Sequence, residues 1–264
     1  MITLPRYLRE KLAFGSFAAL ATAAAVGIGI ASGATNTTKM ATSSKPAAAV
    51  AAVARTDSSD SAHADTSAAW QLADIHNSLV TTWIKRFTTS MRSDFSTYLD
   101  RMSKYASTVS SKIEQRGLPQ ELVYLPIVES GYKPTAKSPV KATGLWQFMS
   151  ATARNYGLAV TSHVDERKDP AKSTDAALSY LSDLYQRFGS WYLAAAAYNA
   201  GPGAVERALE RVTGKKSGTD ADYYRIASAL PKETRDYVPK LIAAATIAKD
   251  PAKYGFDSTA ANAD

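Results

Sequence analysis

Glu121-Leu122-Val123-Tyr124-Leu125-Pro126-Ile127-Val128-Glu129-Ser130 reads as a short helix. At 3.6 residues per turn, Leu122, Leu125 and Glu129 fall on one face. A carboxylate on an apolar stripe is unusual, because burying its charged form is costly. Such a site favours the neutral acid, which a general acid working near neutral pH requires. The competing reading places Glu129 at an exposed helix end or beside a lysine, since perturbed carboxylates also occur in structural networks.

The chain then runs Glu129-Ser130-Gly131-Tyr132-Lys133-Pro134-Thr135-Ala136-Lys137-Ser138-Pro139, followed by Gly144-Leu145-Trp146-Gln147-Phe148-Met149. Pro, Gly and small polar residues end the helix and predict a long loop. Long structured loops are commonly functional. Two further blocks follow: Ala194-Ala195-Ala196-Ala197-Tyr198-Asn199-Ala200-Gly201-Pro202-Gly203 and Pro231-Lys232-Glu233-Thr234-Arg235-Asp236-Tyr237-Val238-Pro239-Lys240.

Taken in this order, the four blocks resemble lytic transglycosylases of the soluble-transglycosylase, lysozyme-like type. The nearest subgroup is membrane-bound lytic murein transglycosylase D. The resemblance spans roughly residues 117–249. It implies that Glu129 is the family's single catalytic acid/base and that Ser138 contacts it. It further implies that Gln147 and Met149 line a sugar cleft, with Tyr198 and Asn199 at its wall, and that Tyr237 is the tyrosine of the Glu-Thr-x-x-Tyr-Val block. The implied substrate is the peptidoglycan glycan strand, and the implied product carries a 1,6-anhydromuramic acid end. The chain departs from the family in carrying Lys141 where a Gly is frequent. It departs from the D subgroup's usual lipoprotein pattern in having no cysteine to lipidate, and in having no carbohydrate-binding repeat before Asp264.

Read without the resemblance, several of these residues keep two meanings. Tyr198 and Tyr237 suit amphipathic packing. They equally suit orienting a carboxylate or stacking on a pyranose ring. Asn199 suits a helix C-terminus or an amide that binds an N-acetyl group. Gln147, between Trp146, Phe148 and Met149, suits either a sugar cleft or the edge of a core. Ser130 and Ser138 lack a nearby His, so a serine-hydrolase triad is not expected. His63, His76 and His163 are dispersed without metal-ligand spacing, so neither a metal nor a cofactor is expected.

The 264 residues carry a net charge of +7 and no cysteine, which excludes disulfides and thiolate chemistry. A mild basic excess suits an anionic polymer such as cell wall. No dense basic stripe or nucleic-acid motif is present, so nucleic acid is not expected as a partner. Residues 1–33 read as a signal peptide or signal anchor, with Arg6, Arg9 and Lys11 ahead of an uncharged run. Residues 12–31 would hold the protein at the inner membrane if retained; either way export to the periplasm or cell envelope is expected. Residues 34–67 are Ala/Ser/Thr-rich and read as a flexible tether.

The expected fold is mainly α. Residues 68–116 form a helical arm, in which Trp70, Leu72, Ile75 and Leu79, then Phe95, Leu99, Met102, Val109 and Ile113, recur at helical spacing. Residues 117–255 form the core, lysozyme-like by resemblance, and residues 256–264 a disordered tail. Within the core, Asp169-Pro170 starts a helix that Gly189 ends. Further helices are expected from Trp191, from Ala204 to Val212, and from Pro231 to about Lys249, with a polar loop over Lys215 to Asp220. Two alternatives to the transglycosylase remain. One is a hydrolytic muramidase with a second carboxylate such as Asp165 or Glu166. The other is a non-catalytic peptidoglycan-binding scaffold.

Overall fold

A computed structural model describes residues 77–256. The expectations on the export segment, the tether, Trp70, Leu72, Ile75 and residues 257–264 of the tail lie outside these residues, whereas Phe256, expected to begin a disordered tail, is buried in the core with its ring 5.4 Å from that of Phe95. The described residues are helical, joined by loops that carry only isolated β-bridges.

Helix α1 (Ser78–Thr88) starts where the Asn77 side chain accepts from the Leu79 amide. Helix α2 (Arg92–Gln115) buries Phe95, Val109 and Ile113, while Leu99 and Met102 pack at its margin. A 3-10 turn (Gln120–Tyr124) then runs directly into α3 (Leu125–Ser130). The single helix expected over residues 121–130 is therefore two pieces. Pro126 lies in the first turn of α3, where its missing N–H costs nothing. Gly131 closes α3 in the left-handed conformation, φ 56°. A Cβ there would stand 2.3 Å from the Tyr98 ring, so glycine alone fits.

Helix α4 (Ser150–Asn155) follows the long loop. Helix α5 (Pro170–Phe188) begins as the sequence predicts, with Asp169 Oδ1 accepting from the Ala171 and Lys172 amides at 2.9 Å. Helix α6 (Trp191–Ala200) is apolar on nearly every side and occupies the centre, packed against α5, α7 (Pro202–Thr213), α8 (Asp220–Ile226) and α9 (Lys232–Lys249). The polar loop expected to reach Asp220 ends there, because a capping box between Thr219 and Asp222 starts α8.

Helix α9 packs on α1, α3 and α6, and so links the N-terminal helices to the core. It contains Pro239, which lacks an N–H and leaves the carbonyl of Arg235 without its helical donor. The buried Tyr223 of α8 supplies the replacement, its hydroxyl donating to Arg235 O at 2.8 Å. This external bond lets α9 pass through a proline without breaking.

Candidate active site

The Leu122, Leu125 and Glu129 stripe faces inward. Both leucines are inaccessible and Glu129 is 9% exposed, with Ile127 and Val128 of the same helix also buried. The exposed-end reading of Glu129 is thereby excluded. From α9, the Tyr237 hydroxyl donates to Glu129 Oε1 at 2.5 Å. Burial raises the Tyr237 pKa well above the ordinary phenol value, and the Glu129 charge raises it further. Tyr237 therefore stays a protonated donor across any physiological range. Tyr198 of α6 is likewise raised well above the ordinary value, first by burial and then by Glu129. Its hydroxyl donates to Trp146 O at 2.8 Å, fastening the long loop to the central helix.

The loop between α3 and α4 is held by its own backbone and by one buried guanidinium. Lys137 pairs with Thr143, and Thr143 with Phe148. Arg167, 6% exposed, grips both Asp165 oxygens at 2.8 Å and donates to Lys141 O at 3.0 Å and Phe148 O at 2.9 Å. Gly144 (φ 90°) lies so close that a Cβ would meet Arg167 O at 1.8 Å. Lys141 adopts φ 66° and Gln147 φ 49°, conformations that favour glycine.

The predicted site residues differ in burial and in what holds them. Trp146 and Phe148 belong to the core, whereas Met149 is 37% exposed at the loop's end. Gln147 Nε2 donates to Gly144 O at 2.9 Å. Ser138 Oγ accepts from the Ala142 amide at 3.0 Å, closing the turn that carries Lys141. Ser130 Oγ donates to Leu145 O at 2.8 Å and so ties the end of α3 to the same loop. Asn199 sits half-buried in the last turn of α6.

Two residues of the site were not singled out from the sequence. Glu233 and Lys240 share the Tyr237 face of α9, at i, i+4 and i+7. Lys240 Nζ donates to Val128 O at 3.4 Å. Burial lowers its pKa, opposed by Glu129 and then Glu233. The signal for both was the helical spacing from Tyr237.

Asp165 and Glu166 are engaged elsewhere. Asp165 is held below the ordinary carboxylate range, chiefly by its hydrogen bond with Arg167. Glu166 pairs with Lys172 at 2.5 Å and accepts from the Ala159 amide. It lines a separate cavity of about 400 Å³ with Arg116, Tyr156, Lys172 and Asp175, which contains none of the predicted site residues. The charges of that cavity already pair with one another, Arg116 with Asp175 and Lys172 with Glu166.

The geometry is that of a buried acid held by the Tyr237 hydroxyl, at the end of a helix tied through Ser130 to an Arg167-clamped loop. Residues 108–220 match the Transglycosylase SLT domain family. Tyr237, Glu233 and Lys240 lie beyond the matched span. The chain is 42% identical over 156 residues to membrane-bound lytic murein transglycosylase D of Escherichia coli K12, covering 59% of this chain and 34% of that protein. It is 36% identical over 121 residues to the soluble lytic murein transglycosylase of the same strain, covering 44% of this chain and 18% of that protein. The crystal structure of the 70-kDa soluble lytic transglycosylase of Escherichia coli aligns with a TM-score of 0.46 at 28% identity, over 55% of this chain and 24% of that one. The chain thus spans about a third of the first of these relatives and less of the others.

Proposed function

We propose that the protein is a peptidoglycan lytic transglycosylase, which cleaves the β-1,4 bond from N-acetylmuramic acid to N-acetylglucosamine and leaves a 1,6-anhydromuramic acid end. The observation that carries this reading is the buried Glu129 with the Tyr237 hydroxyl at 2.5 Å. An alkoxide leaves poorly, so the glycosidic oxygen needs a proton, and an enclosed carboxylic acid supplies it. Burial favours the acid before the step, and the Tyr237 donor stabilises the carboxylate after it.

The C–O bond breaks as the Glu129 proton reaches the leaving oxygen, and the muramic acid C1 gains oxocarbenium character. Ionised Glu129 then takes the proton of the 6-hydroxyl on the same sugar. That oxygen bonds to C1, no water is consumed, and Glu129 is restored as the acid. Because nucleophile and C1 belong to one ring, the hydroxyl competes at high effective molarity against solvent. Ser138, Gln147, Met149, Tyr198 and Asn199 are assigned to substrate binding and support of the cleft.

The hydrolytic alternative requires a second carboxylate to activate water. Asp165 and Glu166, with their charges committed to Arg167 and Lys172, suit that role poorly. Glu233, on the Tyr237 face, is the group that keeps this alternative in play. Mass spectrometry of products from purified peptidoglycan separates the two. Products lighter by one water, with anhydro ends, are expected, whereas reducing ends would establish hydrolysis. The location that fits this substrate is the periplasm or cell envelope, reached through residues 1–33 as signal peptide or anchor. Residues 34–67 would then tether the catalytic part, with residues 68–116 packed on it as an arm.

A further inference from the structure

Glu129 must be neutral when the leaving group departs and charged an instant later. Burial favours only the first state, so something in its surroundings has to make ionisation accessible. Tyr237 from α9 and Tyr198 from α6 face it as neutral phenols. Lys240 and Glu233, also on α9, are the charged groups of this face. Arg101 of α2 donates to Gly131 O at 3.3 Å, just past the end of α3.

Lys240 stands out because it touches both the acid's backbone and a different helix. Its ammonium donates to Val128 O at 3.4 Å, one residue before Glu129. Val128 lies in the last turn of α3, where carbonyls lack helical donors and a cation is favoured. On its other side the ammonium lies 5.4 Å from the centroid of the Trp83 ring, contributed by α1. Arg86, the nearest basic group of α1 on that ring, sits 4.8 Å from its centroid. Lys240 is thus held half-buried between an indole and the end of the catalytic helix, where salt and water screen its charge less than at the open surface.

We propose that Lys240 is the positioning residue of the acid: it holds the Val128–Glu129 turn in place and, behind Trp83, supplies the positive charge that lets Glu129 release its proton. The inference rests on Glu129 being the acid/base. It also gives α1, which precedes the matched span, a part in catalysis. Without Trp83, the half-buried ammonium is more exposed to water, which weakens its pull on the acid.

The test follows the Glu129 carboxyl directly in the full chain, by carbon NMR of labelled glutamate across pH, with Glu129→Gln assigning the signal. The pH–rate profile on purified sacculi is recorded alongside. Removing the charge in Lys240→Met raises the carboxyl midpoint and moves the alkaline limb up by about one pH unit, the low end for a close opposite charge. Lys240→Gln keeps a donor for Val128 O, gives the same shift, and loses less of the maximal rate. Lys240→Arg leaves the midpoint near wild type. Trp83→Leu shifts it the same way but less. An unmoved midpoint in folded Lys240→Met and Lys240→Gln, or an equal shift in Lys240→Arg, overturns the proposal. Absence of anhydro products from wild type would instead refute the transglycosylase reading, and the carboxyl titration would still decide the role of Lys240.

Discussion

Tyr237→Phe removes one oxygen atom and with it the 2.5 Å bond to Glu129 Oε1. The ring stays, and with it the packing of a residue only 4% exposed. A hydrogen bond to a charged group contributes about 1.5–3 kcal/mol. If it is felt fully once Glu129 has lost its proton, the rate falls about 10- to 150-fold. The loss should sit in kcat rather than KM, because the bond strengthens as charge develops on the carboxylate. A missing donor disfavours the ionised acid, so the alkaline limb of the rate profile should move to higher pH. Tyr237 contributes no titration of its own there, since its phenol is raised well above the ordinary value. The assay is steady-state release of soluble fragments from sacculi, with circular dichroism as the control for folding. A folded Phe variant with the wild-type rate and profile would refute the reasoning, because it would make the contact mere packing.

Glu129→Gln keeps the side chain's size but cannot give and retake a proton. Turnover should fall at least about 100-fold, while helical content and binding to sacculi persist; residual activity near wild type would remove Glu129 from the chemistry. Arg167→Met should cost about 2–4 kcal/mol in urea unfolding, because it strips the loop of its clamp and leaves the Asp165 carboxylate without its partner. Asp165 is depressed in the fold, so its contribution is present above the unfolded carboxylate pKa and is lost as pH falls through the lower folded value. The variant should therefore show a weaker acid dependence of stability than wild type, and an unchanged dependence would contradict the assignment. Tyr223→Phe should destabilise by about 1–3 kcal/mol, since it removes the donor to a half-buried carbonyl at the proline of α9. Loss of protection at the amides flanking Pro239 in hydrogen exchange would locate the effect.

Much of the fold was readable where a local signal was strong. Asp169, Pro170 and Gly189 bracketed α5 because a cap, a fixed φ and a left-handed stop are properties of single residues. Helices α4 and α8 were not read. With six and seven residues, they are too short for apolar periodicity, and their starts depend on the loops around them. The division of residues 120–130 into a 3-10 turn and α3 was invisible for a related reason, since both pieces bury the same stripe. Glu129 itself was legible as a carboxylate among leucines. Its partner was not derivable from pattern, because Tyr237 is 108 residues away and only packing of α9 on α3 joins them. Lys240 follows a proline and reads in isolation as a solvated lysine.

Pro239 explains why α9 can do so much for this site. In most helices a proline at this position would bend the chain between Tyr237 and Lys240, separating the donor to Glu129 from the cation at Val128. Here the freed carbonyl of Arg235 is taken by Tyr223, and the helix keeps its register to Lys249. Three groups spaced at i, i+4 and i+7 then reach the same carboxylate environment from one rigid element. The central helix α6 and the Arg167-clamped loop are each fixed by bonds that do not involve Glu129. The acid is thereby surrounded by elements whose positions are set independently of its own protonation. That is what a single carboxylate needs if it is to serve as acid and then as base without the site rearranging between the two steps.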